Sequence, residues 1–133
     1  MHLHFAMCLP RDAETVGLVR AALTNTFTLF GVAEDCIEDV RLAVSEACTN
    51  VISHAGSDDE YEVEVLIDGH ACAVDVRDGG NGFDAAALDG TMPDPLSAGG
   101  RGLAIMNALM DSVNMTWSRE VGTIVHLTRT LTF

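Results

Sequence analysis

The chain has 133 residues, 48% of them hydrophobic, and sets 20 acidic side chains against 7 basic ones for a formal net charge of −13. A length of this order holds one domain with a core of its own, so residues 1–133 are read as a single unit. Such acidity repels phosphate backbones, which argues against direct nucleic-acid binding and suits a basic protein partner. All seven bases are Arg, so any phosphate-bearing ligand would have to be held locally, by backbone N–H groups, a helix N-terminus, a metal or a placed guanidinium. No apolar run reaches the roughly 18–20 residues of a membrane span, and MHLHFAMCLP lacks the basic start and long apolar stretch of a signal peptide. A cytoplasmic protein without membrane contact is the expectation. Cys8, Cys36, Cys48 and Cys72 form no C-x-x-C, and each sits among apolar neighbours. All four are expected to be reduced core residues.

In chain order, residues 2–8 alternate roughly and end at Pro10, a first strand. From Asp12, an N-cap candidate, Val16, Leu18, Val19, Ala22, Leu23, Phe27 and Phe30 recur at helical spacing until Gly31 stops the helix. A second helix is predicted from Ala33 or Glu34 until Gly56, with Ile37, Val40, Val44, Ala47 and Val51 on its apolar face. Tyr61 to Ile67 alternates as a strand, Asp68-Gly69 signals a hairpin, and Ala71 to Val76 is the return strand. Residues 79–100 are rich in Gly, Asp and Pro and are read as a long functional loop. A third helix is predicted from Arg101 to about Asp111, then strands over 113–118 and 123–130. The fold class is α+β: a two-layer sandwich with helices on one face of a mixed or mostly antiparallel sheet.

Three features carry chemistry. Glu46, Asn50 and His54 lie four residues apart on the second helix; each step of four drifts only about 40° around it, so they share one stripe. An amide oxygen there can ligate Mg²⁺, and a carboxylate can accept a proton. The strand ending at Asp78 runs into Gly79-Gly80-Asn81-Gly82. Its carboxylate can accept a hydrogen bond from an exocyclic amine such as that of adenine, while Gly80 and Gly82 let the chain turn close to a ligand. Gly100-Arg101-Gly102-Leu103 is read as opening the third helix, where free N–H groups, the helix dipole and a guanidinium could meet an anion. It is neither a Walker A loop nor a dinucleotide fingerprint.

Taken together, these segments resemble the GHKL, or Bergerat-fold, ATP-binding domains, and most of all their small standalone branch, the bacterial anti-sigma-factor serine/threonine kinases of the RsbW and sporulation type. Glu46-Ala47-x-x-Asn50-x-x-x-His54 is similar to that branch's N box, Asp78-Gly79-Gly80-x-Gly82-Phe83 to its G1 box, and Gly100-Arg101-Gly102-Leu103-x-Ile105-Met106 to its G2 region. Gly122-Thr123-x-Val125 is similar to the closing strand pair. The resemblance implies an ATP-Mg²⁺ site in which Asn50 coordinates the Mg²⁺ and Asp78 reads adenine. Gly80 and Gly82 shape the adenine pocket, and Gly100, Arg101, Gly102 and Leu103 lie at the phosphates. His54 is implied as an N-box structural or phosphate-side residue, and Thr123 supports the adenine end. Glu46 is implied as the general base toward a seryl or threonyl hydroxyl, and residues 83–99 as the ATP lid. It further implies a homodimer that binds a sigma factor and phosphorylates a STAS-domain anti-anti-sigma partner, with Arg11 and Arg20 as partner contacts. The alternative is a binding module that sequesters a partner in a nucleotide-dependent way without kinase activity, motivated by the acidic, lysine-free stretch between Gly82 and Gly100.

Overall fold

A computed structural model describes residues 2–54, 60–78, 95–118 and 122–133. The elements are β1 (His2–Pro10), α1 (Thr15–Leu29), α2 (Glu34–His54), β2 (Glu60–Asp68), β3 (Ala71–Asp78), α3 (Pro95–Leu109), β4 (Ser112–Ser118) and β5 (Gly122–Thr130). The strands form one sheet in the order β1-β2-β3-β5-β4. Every described pairing is antiparallel, so the parallel component that the sequence left open is absent among the described residues.

Alternation along the strands decides which way the sheet faces. Tyr61, Val63, Val65 and Ile67 of β2 are fully buried, as are Val74 and Val76 of β3 and Val125 and Leu127 of β5. Each such side chain contributes about 1.5–3 kcal/mol by leaving water. The register stacks them in rows, with Val65 opposite Val74 and Val76 opposite Val125. Helix α2 covers this face over β3 and β5, and α1 and α3 pack on its two sides. Its buried residues Cys36, Ile37, Val40, Ala43, Val44, Ala47, Cys48 and Val51 recur every three or four positions.

The opposite face is polar. Arg77 pairs with Glu64 at 2.9 Å, Asp75 at 3.2 Å and Glu62 at 3.4 Å. His4 meets Glu64 at 2.6 Å, and His126 meets Asp75. The His4 hydrogen bond, with Arg77 beside it, holds the Glu64 carboxyl below the usual carboxylate range. Cys8 belongs to this face and is exposed, which corrects the expectation of four core cysteines. It shares the strand parity of His2, His4 and Ala6, so its side chain cannot point inward while Leu9 does. The other three are buried, and burial pushes the Cys48 and Cys72 thiols up to about 12.

Near the start, β1 ends at Pro10 as the sequence suggests, with Pro10 paired to Glu60; an edge strand tolerates a residue without an N–H. One boundary departs from the sequence reading. Asp12 does not cap α1 directly. Its carboxylate accepts the Glu14 N–H at 3.0 Å and its carbonyl accepts the Thr15 N–H at 2.9 Å, making a turn ahead of the helix. Thr15 then shares a 2.8 Å hydrogen bond with the Tyr61 hydroxyl, tying the helix start to β2.

At its other end α1 stops where expected. Gly31 has φ +78°, its N–H reaches the Thr28 carbonyl at 3.1 Å, and the Val32 N–H reaches that of Phe27 at 3.0 Å. This is the Schellman pattern. A Cβ at Gly31 would meet nothing within 4 Å, so the cost of Gly31→Ala comes from backbone conformation alone. Urea denaturation is expected to show a loss of about 1–2 kcal/mol.

Candidate active site

Helix α2 brings Glu46 and Asn50 onto one stripe, one turn apart, as the spacing requires. Asn50 is 6% exposed and Glu46 is half-buried. The stripe faces α3. There the structure corrects the predicted helix start: α3 begins at Pro95, six residues ahead of Arg101. Proline at a first helical position has its φ preset and loses no hydrogen bond. Gly100, Arg101 and Gly102 therefore lie in the helix interior, where amide N–H groups are engaged in the helix's own hydrogen bonds. The expected cradle of free amides at these three residues is not formed in this arrangement.

Interior glycines weaken a helix by about 1 kcal/mol each relative to Ala, and Gly102 has a packing reason to be one. It is buried against α2, and a Cβ there would lie 3.1 Å from Glu46 Oε2 and 3.7 Å from Asn50 Oδ1. Its neighbour Arg101 is exposed, and Leu103 packs partly on the core. Arg129 of β5 fixes the far end of α3, donating to the Leu109 carbonyl at 2.7 Å and to Asp39 of α2 at 3.0 Å.

The second cluster closes the sheet. Asp78, the last residue of β3, is 1% exposed. Its Oδ2 accepts the backbone N–H of Thr123 on β5 at 3.1 Å. Thr123 is 8% exposed, and its hydroxyl has no hydrogen-bond partner among the described residues. The Asn50 amide nitrogen is likewise buried without a partner among them. A buried polar group left unpaired costs about 1–3 kcal/mol. Two such groups, one on the α2–α3 seam and one beside a buried carboxylate, fit a ligand that supplies the missing partners. The set suits a nucleotide: the Asn50 Nδ2 group can donate to a phosphate oxygen, its Oδ1 is of the type that ligates a hard cation, and a carboxylate with a hydroxyl can meet a base edge.

Other sequence-derived candidates are distributed as follows. His54 is the final residue of α2. Gly80, Gly82 and residues 83–94 of the expected lid lie outside the described residues, while 95–99 form the first turns of α3. Arg20 is exposed on α1. Arg11 is half-buried and donates to the Ile52 carbonyl at 2.7 Å, satisfying an end group of α2. Sequence reasoning missed the contact of Gly102 with Glu46, because nothing in the sequence sets how closely two helices approach. Among the described residues no helix is long and apolar enough to cross a membrane.

Comparison with known proteins agrees with this geometry. Residues 9–129 match the family described as histidine kinase-like ATPase domain. The serine-protein kinase RsbW of Bacillus velezensis is 37% identical over 123 residues, which cover 84% of this chain and 77% of that protein. The RsbW of Bacillus subtilis is 34% identical, covering 96% and 86%. Among solved structures, the RsbU and RsbW domains of Rv1364c from Mycobacterium tuberculosis superpose with a TM-score of 0.74 at 22% identity, over 97% of this chain and 32% of that one. A chain of the SiaB–SiaC complex from Pseudomonas aeruginosa gives 0.61 at 16% identity, over 96% and 88%. A buried Asp78 at the end of β3, a Glu46–Asn50 stripe facing α3 and relatives of this length and identity lead to one assignment: the chain belongs to the histidine kinase-like ATPase domain family, in the branch of the RsbW serine-protein kinases.

Proposed function

We propose that this protein is an ATP-dependent serine/threonine protein kinase that acts as an anti-sigma factor, with a STAS-domain anti-anti-sigma protein as its phosphoacceptor. The observation that carries the reading is the Asn50 amide nitrogen, buried without a partner among the described residues, one turn from Glu46 on the α2–α3 seam, in a chain 34–37% identical to serine-protein kinases named RsbW. ATP-Mg²⁺, when bound, supplies the phosphoryl group and the cation that offsets its charge.

The chain's own residues divide the remaining work. Asp78 accepts a hydrogen bond from the adenine amine, and Thr123, whose N–H steadies that carboxylate, offers its hydroxyl at the same end. The Asn50 side chain would hold Mg²⁺ through its amide oxygen. Arg101, exposed at the α2–α3 seam, is the countercharge on a chain with no Lys. Glu46 takes the proton from the acceptor hydroxyl as its oxygen bonds to the terminal phosphorus and the bond from that phosphorus to the bridging oxygen breaks, leaving ADP. Gly80 and Gly82 are assigned to the adenine pocket by their motif, and His54 to a structural or phosphate-side role. Arg20 is the partner contact we favour, since the Arg11 guanidinium serves α2. A homodimer and a sigma-factor complex complete the proposal.

The test combines the protein, ATP-Mg²⁺ and a STAS-domain protein from the same genome, and follows the acceptor by intact-mass spectrometry. A gain of one phosphoryl group on a Ser or Thr is expected. Calorimetric binding of ATP without any transfer would instead identify a sequestering module.

A further inference from the structure

The α2–α3 contact carries a consequence for catalysis. We propose that Gly102 is a positioning residue for Glu46: the missing side chain leaves the space in which the Glu46 carboxylate sits. This rests on the reading of Glu46 as the base. A Cβ at position 102 would stand 3.1 Å from Glu46 Oε2 and 3.9 Å from Glu46 Cβ, with Asn50 Oδ1 at 3.7 Å. The closest atom is the end of a flexible side chain, not backbone, so the carboxylate can yield by a few tenths of an ångström without unfolding the seam. Helix propensity works the other way, since Ala is a better interior helix residue than Gly. Gly102→Ala therefore separates two quantities that usually fall together. Stability holds or rises, while the base is pushed off its line to the acceptor hydroxyl.

Displacement of a reacting group by about 1 Å can cost on the order of 100-fold in rate. A shift of a few tenths is expected to cost about 10-fold in kcat. The Kd for ATP-Mg²⁺ measured by calorimetry is expected to change less than about threefold, because the new Cβ would stand in ordinary contact with Asn50 Oδ1, at 3.7 Å, and Asp78 and Thr123 lie on other elements.

The experiment measures Gly102→Ala, Glu46→Gln and the double variant with a STAS-domain protein as acceptor, together with melting temperature and ATP affinity. A lowered kcat with unchanged Kd and no loss of melting temperature in Gly102→Ala, and no further loss when it is added to Glu46→Gln, supports the proposal. Full activity in Gly102→Ala overturns it. So does a loss of ATP affinity equal in the wild-type and Glu46→Gln backgrounds, since Gly102 would then serve the nucleotide and not the base. If Glu46→Gln alone transfers phosphate at the wild-type rate, the base assignment itself fails, and that result is read without reference to Gly102.

Discussion

Replacing Glu46 by Gln is expected to lower phosphotransfer by roughly 10²–10⁴-fold, the range that a positioned general base contributes. The amide keeps the shape of the carboxylate but cannot take a proton. Its fit beside Gly102, where Oε2 sits 3.1 Å from the Cβ that Gly lacks, is preserved, so stability should be unchanged. Binding of ATP-Mg²⁺ should also survive, because the adenine end at Asp78 and the amide of Asn50 are untouched. Single-turnover transfer and calorimetry on the same preparation check both halves. Equal losses in transfer and in ATP affinity would show instead that Glu46 holds the nucleotide.

The second large effect falls on binding. Asp78→Asn is expected to weaken ATP by about 10–100-fold, the loss of one charge-assisted hydrogen bond worth about 1.5–3 kcal/mol. Asparagine was chosen because its amide oxygen can still accept the Thr123 N–H that Asp78 Oδ2 receives at 3.1 Å. The sheet should stay closed. The amide nitrogen, however, turns a donor toward the adenine amine, itself a donor, where an acceptor was needed. GTP presents a carbonyl at the corresponding ring position, so the variant should lose less affinity for GTP than for ATP. Competition against a fluorescent nucleotide measures the ratio directly.

Most of the fold was legible because the chain's periodicities are clean. The three- and four-residue recurrence in α2 and the strict alternation of Tyr61, Val63, Val65 and Ile67 leave little choice of element. Gly31 and Gly69, both at positive φ, mark ends that local chemistry dictates. The start of α3 was not legible. Gly99, Gly100 and Gly102 read locally as a helix terminus, yet the helix passes through them from Pro95. What favours it there is tertiary: Gly102 lets α3 seat against Glu46. The Asp12 cap failed for a smaller reason, since its carboxylate is drawn to Glu14 before the helix begins. For the candidate site, spacing put Glu46 and Asn50 on one stripe, and motif resemblance brought Asp78 and Thr123 into one pocket. The atoms buried without a partner among the described residues, Asn50 Nδ2 and Thr123 Oγ1, could emerge only once burial was known.

The register between β3 and β5 has a kinetic side. Hairpin β2–β3 turns through two residues, Gly69 and His70, between the paired Asp68 and Ala71, and such a hairpin can form in microseconds. β4 and β5 are also near neighbours in sequence. Joining the two halves is different: the Asp78–Thr123 contact closes a loop across 45 positions. The entropy of that closure grows only logarithmically with length, about 0.6 kcal/mol per doubling. The stretch between Asp78 and Pro95 can therefore change in length at little cost to the sheet. A nucleotide engaging both Asp78 and Thr123 would act as a staple across this long-range junction, and where the junction forms after the transition state it slows unfolding more than it speeds folding.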